Sequence, residues 1–203
     1  IAQAEADTGR PFARYWVHCQ HLLVNNQKMS KSLGNFFTLR DIVAKGHDPI
    51  AFRYLCYSIH YSSQLNFTFE SLQKARGAVD KFNELYSKVK WLKDKNNGIQ
   101  TNKRIRMLIA AVQKKFEKHM NDDLNTPQAL AAFFDFTRKI NTEIDKGRAD
   151  SKSLKYAFMF LEKINSILDI VEEKDEEITE EDRKLIEQRE QMRREKKFSE
   201  ADM

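Results

Sequence analysis

Ala75-Arg76-Gly77-Ala78-Val79-Asp80-Lys81-Phe82-Asn83-Glu84-Leu85-Tyr86-Ser87-Lys88-Val89-Lys90-Trp91-Leu92 has one periodicity. Ala75, Ala78, Val79, Phe82, Leu85, Tyr86, Val89 and Leu92 fall three or four residues apart, so they share one stripe of a helix, and the charges between them face water. The helix should stop in the turn Asn96-Asn97-Gly98. Three similar segments follow. The second carries Ile105, Leu108, Ile109, Val112, Phe116 and Met120. The third, opened by Thr126-Pro127 as cap and first helical residue, carries Leu130, Phe133, Phe134, Thr137, Ile140 and Ile144 up to Gly147. The fourth, capped by Ser151 or Ser153, carries Leu154, Phe158, Leu161, Ile164, Leu168 and Val171. Each has one apolar face, and an antiparallel four-helix bundle removes all four from water at once. With only three prolines and six glycines in 203 residues, the composition agrees with a mainly α chain.

Upstream of Thr68 the pattern changes, which places a domain boundary near residue 66. Ile1 to Asp7 is helix-forming and Gly9 can cap it, while Arg14 to Val24 carries Tyr15, Trp16, Val17, Leu22 and Val24 and reads as a strand. Asn25-Asn26 tolerates positive φ, so a tight turn should follow and deliver Lys28 to Ser32 as an exposed loop. Along that strand His18 and His21 point to opposite faces, against a shared metal. Thr38 caps a short helix through Ala44, and Asp48-Pro49 starts another running to about His60. In the latter, Phe52, Leu55, Cys56 and Ile59 form the apolar stripe, so Cys56 is expected to be a small buried hydrophobe.

The chemistry of the chain centres on Lys28-Met29-Ser30-Lys31-Ser32, followed by Leu33-Gly34-Asn35. Two lysines three residues apart, on a loop of hydroxyl residues closed by glycine, can set two ammonium groups and several N–H donors around one polyphosphate. Lys31 is the first choice for stabilising charge that grows on a reacting triphosphate, and Lys28 assists from the other edge of the loop. Ser30 and Ser32 offer hydroxyls, Gly34 permits a sharp turn, and Asn35 can tie the loop down.

The formal charge of +5 points to a polyanionic partner. Lys74 to Lys118 holds thirteen bases against four acids, a basic surface over the first two bundle helices. Trp91 is expected to pack at the bundle end, with base stacking as the alternative. Glu172 to Asp182 has eight acids and one lysine and reads as a solvated linker; Arg183 to Lys197 has seven bases and three acids and reads as a basic helical arm. Cys19 and Cys56 form no CxxC or Cys/His cluster, so reduced, buried thiols are expected and no metal site within this chain. No apolar run approaches a membrane span and no signal-peptide pattern opens the chain, which suggests the cytoplasm. The opening and closing residues read as parts of a longer protein.

Ile1-Ala2-Gln3, Tyr15-Trp16-Val17-His18, Lys28 to Asn35, Tyr61 with Gln64-Leu65-Asn66-Phe67, and Asp122-Asp123-Leu124-Asn125-Thr126 with Ala129-Leu130 together resemble the C-terminal half of the cysteinyl-tRNA synthetases. Lys28 to Ser32 matches letter for letter the KMSKS signature of class I aminoacyl-tRNA synthetases. The resemblance implies a fragment of a class I Rossmann-type α/β catalytic domain at 1–66, a DALR-type helical bundle for anticodon binding at 67–171, and a truncated linker and arm at 172–203. It implies an ATP- and Mg2+-dependent ligase that converts cysteine to cysteinyl adenylate and transfers it to tRNA(Cys), working as a monomer. Lys28 and Lys31 would be catalytic, and Lys28, Met29, Ser30, Lys31 and Ser32 would form the ATP motif with Lys31 the primary contact. The family's HIGH motif and zinc ligands precede this segment, so zinc is expected in the enzyme but not on this chain, which should not charge tRNA alone. Two alternatives remain open: a cysteine:glucosaminyl-inositol ligase of mycothiol synthesis, and a non-catalytic RNA-binding module derived from a synthetase.

Overall fold

The computed structural model describes residues 1–95 and 102–172. Beyond Glu172, the acidic stretch and the basic arm lie outside the described residues, as does the Asn96-Asn97-Gly98 turn. Residues 1–171 form one compact unit.

Among the described residues, seven helices and three short strands follow in the order α1 (Ala2–Thr8), β1 (Leu23–Val24), β2 (Gln27–Lys28), α2 (Leu39–Ala44), α3 (Pro49–Tyr57), β3 (Asn66–Phe67), α4 (Phe69–Lys95), α5 (Lys103–Met120), α6 (Thr126–Asp145) and α7 (Ser151–Leu168). The last four are the expected bundle. Helix α5 packs on α6 and on α7, while α4 packs on α7 and α6. The inward faces are Val79, Phe82, Leu85 and Val89 of α4, Ile105, Val112 and Phe116 of α5, Phe133, Phe136 and Ile140 of α6, and Leu154, Leu161 and Ile164 of α7. Phe82 stacks on Phe133 at 4.8 Å, and Phe136 meets Phe160 edge-on at 5.3 Å. Each buried phenyl ring contributes about 1.5–3 kcal/mol by leaving water.

Several boundaries differ from the sequence reading. Asn125 rather than Thr126 caps α6, accepting from Gln128 N–H, and Pro127 sits in its first turn. Asp150, not Ser151 or Ser153, caps α7. The expected strand from Arg14 contracts to Leu23–Val24: between Arg14 and Leu22, among the described residues, only Gln20 N–H donates to a backbone carbonyl, that of Tyr61 at 3.0 Å, and Tyr15 is 89% exposed. Without a continuous ladder, β-favouring side chains do not make a strand. Helix α3 stops at Tyr57 and buries Ala51, Tyr54 and Leu55, which turns Cys56 outward. The inward face is set by Tyr54, whose ring meets Phe134 of α6 edge-on at 6.2 Å. Cys56 and Cys19 are therefore both exposed thiols, not buried ones.

The expected turns are present. Asn25 and Asn26 take φ of 50° and 62°, which closes the two-residue hairpin between β1 and β2. On its other edge β1 pairs in parallel with β3. Val24 and Phe67 are buried, and Phe67 touches Phe37, Phe52 and Phe69 at 6.1, 5.9 and 5.4 Å. This aromatic cluster seats the hairpin on the start of α4. Thr38 and Asp41 form the capping box of α2, and Asp48 caps α3 while also binding Arg76 of α4.

Candidate functional site: the lysine loop

Strand β2 ends at Lys28, and the chain then turns back on itself before Asn35. Asn35 closes the loop from both sides: its Oδ1 accepts from Ser30 N–H at 2.8 Å, and its Nδ2 donates to the Lys28 carbonyl at 3.2 Å. Inside the turn, Ser30 Oγ lies 2.8 Å from Ser32 Oγ and accepts from Leu33 N–H at 3.3 Å, and Gly34 N–H donates to the Lys31 carbonyl at 3.2 Å. Gly34 has φ of +65°, a conformation that strains any residue with a Cβ, so the tight return needs glycine here. Met29 packs on the core and anchors the root of the loop.

Lys28 and Lys31 are both exposed, and neither makes an ion pair among the described residues. Lys31 Nζ lies 5.7 Å from the Phe36 ring centre, a contact the sequence reading missed. Nothing in the spacing marks it beyond an aromatic residue just past the motif. The loop thus combines a backbone fixed by Asn35 with two uncompensated ammonium groups, a combination that favours a multiply charged anion.

His18 and His21 do not converge. His18 stacks on Trp16, while His21 Nε2 lies 3.2 Å from Gln64 Nε2. Among the described residues no group of three His, Cys, Asp or Glu side chains could hold a metal ion. Cys19 and Cys56 are free and exposed and belong to no such group, so the described residues do not fit zinc, and no step of the chemistry is assigned to it.

The basic surface is carried largely by α5. Lys103, Lys114 and Lys118 lie opposite Ile105, Ile109, Val112 and Phe116, and Arg106 lies at the side of that face, 5.2 Å from the Tyr156 ring centre of α7; all four are exposed and make no ion pair among the described residues. On α4 more of the charge is compensated: Lys74 pairs with Glu70, Arg76 with Asp48 and Asp80, Lys88 with Asp145 and Lys93 with Asp94. Trp91 is half-buried, with Lys95 Nζ 3.6 Å from its ring centre, so its face is already covered by a cation.

Two family models match the chain. Residues 1–77 match the class I (C) tRNA synthetase catalytic domain, and residues 115–172 match the DALR domain. The chain is 40% identical over 203 residues to a cysteine–tRNA ligase of Chlamydia felis, covering 100% of this chain and 42% of that protein. A cysteine–tRNA ligase of Caldicellulosiruptor saccharolyticus is 38% identical over 206 residues, covering 100% and 44%. A cysteine–tRNA ligase of Solibacter usitatus is 39% identical over 171 residues, covering 84% and 36%. The chain therefore spans less than half the length of these curated relatives. No described helix is long and apolar enough to cross a membrane.

Proposed function

We infer, for a chain that belongs to the cysteinyl-tRNA synthetase family and spans part of its length, that it supplies the triphosphate-handling loop and the RNA-binding bundle of a cysteine–tRNA ligase. The observation that carries this reading is the Asn35-closed loop with Lys28 at its root and Lys31 within its turn, neither in an ion pair among the described residues. In the reaction, a carboxylate oxygen of cysteine attacks the α-phosphorus of ATP. The new acyl–phosphate bond forms as the bond to the bridging oxygen breaks, and pyrophosphate leaves with the electron pair. Negative charge grows on the departing phosphates, where the Lys31 ammonium stabilises it; Lys28 and the loop N–H groups hold the ground-state triphosphate. Mg2+ would share that charge when bound with ATP. A ribose hydroxyl at the tRNA end then attacks the acyl carbon and releases AMP, while the bundle holds the RNA through phosphate contacts.

The division into a catalytic part at 1–66, a bundle at 67–171 and a further segment at 172–203 belongs to this reading, as do a cytoplasmic location and action as a monomer. Its test uses the full-length protein: cysteine-dependent ATP–pyrophosphate exchange and charging of tRNA(Cys) are both expected. Absence of exchange, with RNA affinity retained, would overturn the catalytic part. Binding of tRNA should weaken with salt, log K against log salt falling with a slope of about 0.7–0.9 per phosphate contacted. Joint replacement of Lys103, Arg106, Lys114 and Lys118 by glutamine should flatten that slope by about three or more.

Asn35→Ala removes both hydrogen bonds that close the loop. It is expected to lower kcat for ATP–pyrophosphate exchange by about tenfold, because the lysines then sample many positions instead of one. An Asn35→Ala protein with unchanged kcat would show that loop closure is not needed.

A further inference from the structure

His60 and Tyr61, in the segment that follows α3, reach the turn between α5 and α6. His60 Nε2 lies 3.0 Å from the Asp123 carbonyl oxygen, and the Tyr61 hydroxyl donates to the Asp123 carboxylate. Ser62 N–H donates to His60 Nδ1 at 3.3 Å, so the ring proton sits on Nε2 and is donated to Asp123. The receiving turn is strained. Asp123 and Leu124 both have φ of 51°, a left-handed conformation that costs a non-glycine residue about 1 kcal/mol or more each. Such a turn persists where its surroundings hold it, and among the described residues the side chains bonded to Asp123 are those of His60 and Tyr61.

From Tyr61 a run of hydrogen bonds continues toward the lysine loop. The carbonyls of Tyr61, Leu65 and Phe67 accept from Gln20, Leu23 and Asn25 N–H at 3.0, 2.9 and 3.1 Å. Asn66 and Asn26 exchange two further bonds, at 2.8 Å each. Strand β1, held on this edge, pairs on its other edge with β2, whose last residue is Lys28. The turn of the bundle and the root of the loop are thus joined by a series of hydrogen bonds of 2.8–3.1 Å.

We propose that Asp123 is a positioning residue for the lysine loop: by clasping His60 and Tyr61 it holds the segment 61–67, which ends in β3, on the bundle, and so fixes where the β1–β2 hairpin presents Lys28 and Lys31. A ligand that shifts the α5–α6 turn would then move the loop. The clasp stands on geometry alone; its effect on chemistry rests on the triphosphate reading above.

The test separates the two, using the full-length protein with Tyr61→Phe, Asp123→Ala and Asp123→Asn. Without ligands, amide hydrogen exchange over residues 27–35 is expected to speed up about fivefold or more in Tyr61→Phe and Asp123→Ala. Asp123→Asn keeps an acceptor for Tyr61 and should restore near-normal exchange. Faster exchange confined to 58–67 and 121–125 would overturn the proposal, because the clasp would then hold its own segments without positioning the loop. In ATP–pyrophosphate exchange Tyr61→Phe should lower kcat about fivefold with KM for ATP little changed, and should have no further effect in a Lys31→Ala background. Additive losses in the double variant would mean a general structural effect and overturn the proposal. Faster amide exchange with unaltered kcat would support the clasp while overturning the triphosphate reading. Should Asp123→Ala fail to fold, Tyr61→Phe, which deletes one hydroxyl, carries the test.

Discussion

With Lys31 replaced by alanine, the full-length protein is expected, on the function proposed above, to lose about two to three orders of magnitude in kcat for cysteine-dependent ATP–pyrophosphate exchange, and to bind tRNA(Cys) within about twofold of the unaltered protein. The size follows from when the charge is needed. A preorganised donor aimed at developing negative charge is typically worth about 3–4 kcal/mol in the transition state, and much less against a ground state that water also solvates. Lys31 is suited to that role because no carboxylate among the described residues pairs with it in the resting loop, so no ion pair must break before it acts. Its nearest described cation contact is the Phe36 face, 5.7 Å away, which a triphosphate easily outcompetes. Lys31→Arg should recover part of the loss, since the charge returns on a planar, wider group. Equal losses of exchange and of RNA binding in Lys31→Ala would defeat the assignment, because the loop and the α5 flank would then be acting as one site.

How far these features were legible in the sequence depended on how local their causes are. The bundle could be read from Val79, Phe82, Val112, Phe133 and Leu161, because each obeys the 3.6-residue period whatever the neighbouring helix supplies. The hairpin turn at Asn25-Asn26 and the capping box at Thr38 are equally local, and both are present. The lysine loop was legible because its eight residues are contiguous, and even the tie through Asn35 needs only a five-residue reach. Features that depend on distant partners were not. Cys56 turned outward because Tyr54 selects the inward face of α3 through Phe134, a residue eighty positions away. Arg14 to Leu22 had the side chains of a strand but not the neighbour that makes one. Glu143 was hidden by its charge: it is 3% exposed within α6, where Arg104 of α5 pairs with one carboxylate oxygen at 3.2 Å. The clasp at Asp123 joins residues more than sixty positions apart, and no periodicity announces it.

Asp150→Ala is expected to be among the most destabilising exchanges of a single polar side chain in the bundle, at about 2–4 kcal/mol, because one carboxylate serves two helix starts. Its Oδ1 accepts from Ser153 N–H at 2.9 Å and so caps α7, and its Oδ2 accepts from Ser153 Oγ at 2.6 Å and from Asn102 N–H at 2.6 Å. Asn102 is itself the cap of α5, and it reaches back to the Arg148 carbonyl through Nδ2 at 2.6 Å. Alanine therefore removes a cap from α7 and leaves the half-buried Asn102 N–H with the Ser153 hydroxyl, 3.0 Å away, in place of a carboxylate, so that of the bonds between α5 and the α6–α7 connection the charged one is lost. Burial raises the Asp150 pKa, but the bonds from the Ser153 hydroxyl and from the backbone N–H groups of Asn102 and Ser153 outweigh it, and the net shift is downward from 3.8. The sign follows: a carboxyl whose folded pKa lies below its unfolded one adds stability that is complete above the unfolded value and is lost as pH falls through the folded one. The stability gap between the unaltered protein and Asp150→Ala should thus be constant above about pH 5 and shrink progressively below pH 4, read as urea midpoints across that range. Asp150→Asn, which can accept at only one oxygen, should fall between the two and show no such closing of its own stability with acid at this site. A gap that stays constant down to pH 2.5 would show that the cap works equally well protonated, and that the two helix starts are held by shape rather than by the charge at Asp150.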